Sequence, residues 1–182
     1  MADKPSYLGL LNAIANGEAE AERYLDAWIA VTPSDDVRAV LCTVALREGE
    51  HAKAFAKRIG ELGFSVLERP DPAAAKRLKV AASTKLSDRE KFEQLGLGAE
   101  RDGDEPDIFA GMLRDRSIDI QTGALLGRYI AEERDSARLL AACYGALVEY
   151  DAGDEPDAAP ATVEERLDRI ERMLEKLVAE RG

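Results

Sequence analysis

The sequence predicts an all-α protein built as an up-down bundle of helices. Glycine and proline are concentrated between long stretches of alanine, leucine, glutamate and arginine. Within those stretches the apolar residues recur at a spacing near 3.6 residues rather than 2, as in a helix that buries one face. The chain has 182 residues, 46% of them hydrophobic, which is enough for one domain with a buried core and an appendage.

The first two helices are predicted over residues 6–31 and 34–62. The first ends before Pro33, because the residue that precedes a proline is disfavoured in the α region. Ser34 is an N-cap candidate for the second helix and is followed by two aspartates, which suit the positive end of a helix. Gly63 suits the position after the second helix. A hairpin of two long antiparallel helices is therefore expected.

Two short helices and a long one are predicted next. The short helices cover residues 73–82 and the segment from Ser87 to the glycines at 96 and 98, opened by the capping-box sequence SDRE. The helical pattern then runs from 108 to 150. One unbroken helix of that length would measure over about 60 Å, so we expect a break near residues 115–117 and a long helix from 117 to 150.

The last part of the chain is predicted as a separate appendage to a bundle formed by residues 1–150. Residues 151–161 form an acidic linker, and residues 162–182 form a C-terminal amphipathic helix opened by the capping-box sequence TVEE. Its apolar stripe is shorter than the three or four heptads of an independent coiled coil. The stripe must therefore pack on the bundle or on a second copy of the chain, and a homodimer is the expected assembly.

Composition and charge argue against several classes of function. The chain carries 25 Lys and Arg against 36 Asp and Glu, a formal net charge of −11, so nucleic acid is not an expected partner. No apolar stretch approaches the roughly 20 residues of a membrane span, and the N-terminus lacks the apolar core of a signal peptide. Because the two cysteines, Cys42 and Cys143, are isolated, a reducing cytoplasm is the expected location.

Acidic residues interrupt the apolar stripes of the first two helices where burial is expected. They are Glu18 in the first helix and Glu48 in the second, which also carries the single histidine of the chain, His51. When the hairpin folds antiparallel about residues 33–34, Glu18 lies level with a position between Glu48 and His51. Burial of an unpaired carboxylate costs several kcal/mol, so such a group needs a partner or a metal. Carboxylates with an imidazole suit iron or manganese.

Residues 16–24, NGEAEAERY, and residues 46–52, LREGEHA, resemble the first glutamate helix and the first Glu-x-x-His helix of the ferritin and rubrerythrin superfamily. The resemblance extends over residues 6–63. It implies a ferritin-like bundle in which Glu18 is a terminal ligand, Glu48 a bridging carboxylate and His51 the imidazole ligand. The second half of the chain departs from the family pattern of four ligand-bearing helices.

The long helix supplies the remaining candidate ligands. Its segment 129–136, YIAEERDS, has Ser136 where a second histidine is expected after Glu133. Glu132 falls on the same stripe as the apolar residues before and after it, and it is predicted to face inward better than Glu133. With one histidine in the chain, a centre with two histidines from one chain is excluded.

Three arrangements remain open from the sequence. One chain could hold one or two ions with Glu18, Glu48, His51 and Glu132. Two chains could each supply the first three of these across a two-fold axis. The metal could also be lost, with the carboxylates paired to arginines. The first two predict a non-haem iron or manganese oxidase, hydroxylase or peroxidase that uses dioxygen or peroxide, and the third predicts a structural or interaction module.

Overall fold

Helices make up all the regular structure in the described part of the chain, which confirms the predicted all-α class. The computed structural model describes residues 4–98, 111 and 114–153. The helices in those ranges are α1 (Leu8–Ile29), α2 (Asp35–Glu61), α3 (Ala74–Ala81), α4 (Asp88–Leu95) and α5 (Ile120–Gly153). Among them, no helix is long and apolar enough to span a membrane. Cys42 and Cys143 are both free thiols.

The helix ends follow the predicted capping residues. The Ser34 side chain accepts a hydrogen bond from the backbone N–H of Val37 at 3.3 Å and so caps α2. Gly63 has a φ of 85° just after α2, a left-handed conformation that glycine adopts without steric cost. The predicted capping box also forms, since the backbone N–H of Ser87 donates to Glu90 Oε2 at 2.7 Å.

The start of α5 is held by Asp119, and the helix begins at Ile120 rather than at the predicted residue 117. The Asp119 carboxylate accepts hydrogen bonds from the backbone N–H of Thr122 at 3.0 Å and from the Tyr7 hydroxyl at 2.8 Å. It also pairs with Arg58 of α2 at 2.8 Å. These contacts satisfy the free N–H groups of the helix end and fasten α5 to the segment before α1 and to α2.

The remaining boundary predictions are only partly within the described residues. Residues 114–119 are not helical, as predicted for a break before the long helix. α5 continues to Gly153, so residues 151–153, predicted as the start of the linker, are helical instead. The short helix expected just before the break lies largely outside the described residues. The C-terminal helix predicted over 162–182 lies entirely outside them. The chain divides into units of residues 1–147 and 148–182, and the site described below belongs to the first.

Two apolar clusters fill the bundle of the first unit. One joins the start of α1 to the end of α2 and the first half of α5, and its buried members are Tyr7, Leu11, Ile14, Ala15, Phe55, Ile59, Leu126, Tyr129 and Ile130. The other joins the end of α1 to the start of α2, and its buried members are Leu25, Trp28, Val37, Leu41, Val44, Ala45, Ala81, Phe92 and Leu140. Trp28, predicted as a core anchor, is fully buried.

A polar layer separates the two clusters. In α1 it falls between Ala15 and Leu25, and in α2 between Ala45 and Phe55; in α5 it precedes Leu140. α1 runs from the first cluster to the second, and α2 runs from the second back to the first, so the two helices are antiparallel. The acidic residues singled out in the sequence lie in this layer, where apolar packing on both sides restricts access of water.

Candidate metal centre

Four ionisable side chains from three helices converge in the polar layer. They are Glu18 of α1, Glu48 and His51 of α2, and Glu133 of α5, and one potential ligand atom from each lies within 4.8 Å of all the others. Glu18, Glu48 and His51 are 7%, 6% and 3% exposed. The structure thus brings together the three residues that the hairpin register places at one depth. Because all four belong to one chain, the cluster forms without a second copy.

The local sequence explains why the α1–α2 side of the cluster forms. Glu48 and His51 are three residues apart and therefore share a face of α2. In the antiparallel hairpin that face meets α1, where Glu18 Oε2 lies 3.8 Å from His51 Nδ1. At Gly49 a Cβ atom would lie only 2.1 Å from Glu22 Oε1. The glycine thus leaves room for the Glu22 carboxylate, which lies beside the cluster without belonging to it.

Three atoms of the cluster are buried and lack a hydrogen-bond partner among the described residues. They are Glu18 Oε2, His51 Nδ1 and Glu133 Oε1, and His51 Nδ1 lies 3.4 Å from Glu133 Oε1. A buried polar atom without a partner costs about 1–3 kcal/mol, and proteins contain few of them. Three such atoms directed into one small volume form a donor set for a cation.

Glu132 lies outside this donor set and contacts the opposite side of the imidazole. Its Oε2 is 2.7 Å from His51 Nε2, and its Oε1 accepts a hydrogen bond from Arg128 Nε at 2.9 Å. When His51 is neutral, an Nε2–H donated to Glu132 leaves the lone pair on Nδ1, the atom that faces the cluster. Glu132 therefore orients His51 and selects its tautomer.

The expectation that Glu132 faces inward better than Glu133 is wrong. The Glu133 side chain is 20% exposed and that of Glu132 28%, and Glu133 is the one that joins the cluster. The prediction used the apolar stripe of α5 alone, whereas α5 packs against both α1 and α2 and has a wider interior face. Adjacent residues on that face then contact different sides of the same histidine.

Tyr129 is a further residue of the site. Its hydroxyl, in a residue only 6% exposed, donates a hydrogen bond to Glu18 Oε1 at 2.8 Å. That bond occupies one oxygen of Glu18 and leaves the other, Oε2, directed toward the cluster. Ser136, at the position of the missing second histidine, instead accepts a hydrogen bond from Arg47 at 3.2 Å.

The electrostatics of the cluster favour bound protons in the absence of a cation. Burial, together with the neighbouring Glu18 carboxylate, raises the pKa of Glu48 to about 10. Burial alone would lower the pKa of His51, but the carboxylates of Glu133, Glu18 and Glu132 outweigh it and raise this pKa to about 10. Burial would likewise raise the pKa of Glu18, yet its contacts with His51, Glu48 and Tyr129 lower it.

The donor set fits a transition metal ion. It offers three carboxylates and one imidazole nitrogen, a mixture that suits iron or manganese. An ion with bonds of about 2.0–2.2 Å separates opposite ligands by roughly 4.2 Å, so the present spread of 4.8 Å closes with small side-chain movements. A cation would also replace the protons on Glu48 and His51, which must leave before these groups bind a metal.

Comparisons of the chain with protein-family models, with curated proteins and with solved structures found no match. The function must therefore be argued from the geometry of the cluster itself.

The stability of the metal-free protein should fall as the pH rises. Glu48 and His51 have ordinary pKa values of 4.5 and 6.5 and folded values of about 10, so the folded state keeps protons that the unfolded state releases. Their stabilising contribution is complete below the unfolded pKa values and is lost as the pH approaches 10. We expect the free energy of unfolding to drop by about 2 kcal/mol or more between about pH 6 and 9.

Chemical denaturation of chelator-treated protein at a series of pH values measures this dependence. The Glu48→Gln variant keeps only the contribution of His51 and should show a shallower decline. A free energy of unfolding that stays constant or rises over this range would contradict the assignment of bound protons to Glu48 and His51 in the folded protein.

Proposed function

We propose that this chain is a ferritin-like metal-binding protein whose Glu18, Glu48, His51 and Glu133 side chains hold iron, or manganese in its place. The proposed activity is that of a non-haem oxidase, hydroxylase or peroxidase acting with dioxygen or peroxide. The observation that carries the proposal is the convergence of Glu18 Oε2, His51 Nδ1 and Glu133 Oε1, all buried without hydrogen-bond partners among the described residues. Such a donor set is costly to the fold unless it binds a cation or is neutralised by bound protons.

The side chains around such a site would have separate roles. When bound, the ion supplies the redox chemistry with dioxygen or peroxide. Tyr129 orients Glu18 through its 2.8 Å hydrogen bond, and Glu132 orients His51 through the 2.7 Å contact at Nε2. Glu48 gives up its proton when the ion binds. The apolar clusters on both sides exclude water, which protects a reactive site from side reactions.

One observation favours a second candidate, a metal-free bundle that acts as a structural or interaction module. A protonated His51 is surrounded by the carboxylates of Glu132, Glu133 and Glu18 at 2.7, 3.4 and 3.8 Å. In that state the cluster is a buried ion-pair network that needs no metal. The two candidates differ in whether the purified protein contains metal.

Elemental analysis of protein purified aerobically from iron- and manganese-supplemented cells tests the proposal. We expect about one metal ion or more per chain, because four donors converge on one volume. The His51→Ala variant should retain much less metal. Glu22→Gln, a change in a neighbouring carboxylate that lies over Gly49 outside the cluster, is the matched control and should keep the wild-type content.

Oxygen consumption after anaerobic addition of Fe(II) to the wild-type protein then tests the redox part. A wild-type content below about a tenth of an ion per chain would reject the metal site in favour of the metal-free module. Metal binding without any reaction with dioxygen or peroxide would retain the site and reject the proposed activity.

A further inference from the structure

Ser136 lies where a second metal-binding histidine would be needed. In helical bundles that hold two ions, each of two helices supplies a Glu-x-x-His pair, and paired metal ions lie about 3.5–4 Å apart. Glu48 and His51 form such a pair in α2. In α5 the residue three positions after Glu133 is Ser136, which is only 3% exposed. The buried side of α5 therefore presents a hydroxyl in place of the imidazole that a second ion requires.

The Arg47 guanidinium lies beside this hydroxyl and is held by two contacts. Its Nη1 donates a hydrogen bond to Ser136 Oγ at 3.2 Å, and its Nη2 lies 2.8 Å from Asp135 Oδ2. Arg47 directly precedes the ligand Glu48 in α2, and Ser136 is one turn along α5 from the ligand Glu133. The two helices thus fix a positive charge next to the cluster, on the side where the second ion of a pair would lie.

The donors of the cluster suffice for one ion. A pair of ions in such a bundle is held by four glutamates and two histidines, whereas the cluster offers three glutamates and one histidine. In the part of the chain that the structure describes, it is the one group of three or more potential ligand residues. Glu132 is already in contact with His51 Nε2 at 2.7 Å and with Arg128 Nε at 2.9 Å, so it is not free to complete a second set.

The charge of the cluster also balances one ion better than two. With His51 neutral, the three ionised carboxylates carry three negative charges between them. One divalent ion leaves a single negative charge and one trivalent ion leaves none. Two divalent ions would leave an excess positive charge in a buried site, beside the guanidinium of Arg47. Uncompensated buried charge is costly, and like charges at short range repel strongly in the protein interior.

We infer that the cluster holds a single metal ion and that Arg47, fixed by Ser136 and Asp135, excludes a second one. The inference rests on the proposed function, because it concerns the number of ions at the same site. Arg47 then determines how many ions bind without being a ligand itself. Removal of its charge, together with a new imidazole at position 136, should be what a second ion needs.

Loading of chelator-treated, full-length protein with Mn(II) measures the number of ions. After removal of free metal, elemental analysis should find about one ion per chain beyond those that the His51→Ala variant also retains, which are bound at the acidic surface. Electron paramagnetic resonance of the loaded protein should show an isolated Mn(II) ion. Two ions at about 3.5–4 Å would instead be exchange-coupled and give a different spectrum.

Two double variants test the role of Arg47. Ser136→His with Arg47→Ala supplies the imidazole and removes the guanidinium, so we expect a second, more weakly bound Mn(II) ion and an exchange-coupled spectrum. Ser136→His with Arg138→Ala is the matched control. It supplies the same imidazole and removes another arginine partner of Asp135, which lies at 3.1 Å with its side chain 73% exposed. This control keeps Arg47 and should still bind one ion.

Two coupled ions in the wild-type protein would overturn the inference and leave the proposed metal site standing. A second ion in both double variants, or in neither, would overturn the role assigned to Arg47. The wild-type count decides the number of ions even if a variant does not fold. Absence of any ion that depends on His51 would reject the proposed function, and the inference with it.

Discussion

Replacing Glu48 with glutamine is expected to weaken binding of Fe(II) or Mn(II) by about 100-fold or more and to stabilise the metal-free protein. The amide removes one charged ligand from the cluster, a larger change than the loss of an outer hydrogen bond, which costs about 10–100-fold. In the metal-free protein the same change removes the carboxyl group whose pKa burial raises to about 10. Because this carboxyl is ionised in the unfolded chain at pH 7 and must take up a proton when the protein folds, the neutral amide avoids a cost of about 2–3 kcal/mol.

Anaerobic calorimetric titration measures the affinity, and denaturation of chelator-treated protein at pH 7 measures the stability. Glu50→Gln is the matched control, because Glu50 lies two residues away on α2 with its side chain 57% exposed. It should change neither quantity appreciably. An affinity equal to that of the wild type would exclude Glu48 as a ligand. A gain in stability in a protein that takes up no metal would favour the metal-free module.

Residues that bind a metal but weaken the metal-free fold can be recognised in a sequence. A stripe that should be apolar contains groups that weaken the fold, and the fold tolerates them because neighbouring side chains or an ion compensate. Glu18, Glu48 and His51 stand out for that reason. Their common depth follows from the short connection between α1 and α2, because the turn alone fixes the register of an antiparallel hairpin.

Helix boundaries can also be predicted from the sequence where the residues that set them lie next to the boundary in the chain. Pro33 and Ser34 separate α1 from α2, and Gly63 follows α2. The predicted spans 6–31 and 34–62 exceed the observed Leu8–Ile29 and Asp35–Glu61 by only a residue or two at each end. The α5 start is less local, because Asp119 is held by Tyr7 and Arg58, which are distant in sequence. The helix accordingly starts at Ile120 instead of residue 117.

The part of the site supplied by α5 could not be predicted from its own sequence. Glu132 and Glu133 are adjacent, and a rotation of the helix by a fraction of a turn exchanges their positions. That rotation is set by packing of α5 on both α1 and α2, including the contact of Tyr129 with Glu18. Long-range packing therefore decides which glutamate joins the donor set and which one orients the histidine.

Glutamine substitutions at these two adjacent positions should weaken metal binding to different degrees and by different routes. Glu133→Gln removes a ligand and should lower the affinity for Fe(II) or Mn(II) about 100-fold or more. Glu132→Gln removes only the carboxylate that holds His51 Nε2 at 2.7 Å, and loss of such an outer partner costs about 10–100-fold. Anaerobic titration of both variants with Mn(II) measures the two effects.

A double-mutant cycle with His51→Ala separates the two routes, because an effect that acts through one residue disappears when that residue is removed. In the His51→Ala background, Glu132→Gln should cause no further loss of affinity, whereas Glu133→Gln should still weaken binding. This result would assign Glu132 to positioning of the imidazole and Glu133 to the metal itself. Additive losses for Glu132→Gln would instead make Glu132 a ligand in its own right, as expected from the sequence. Loss of both effects in that background would show that neither glutamate contacts the ion.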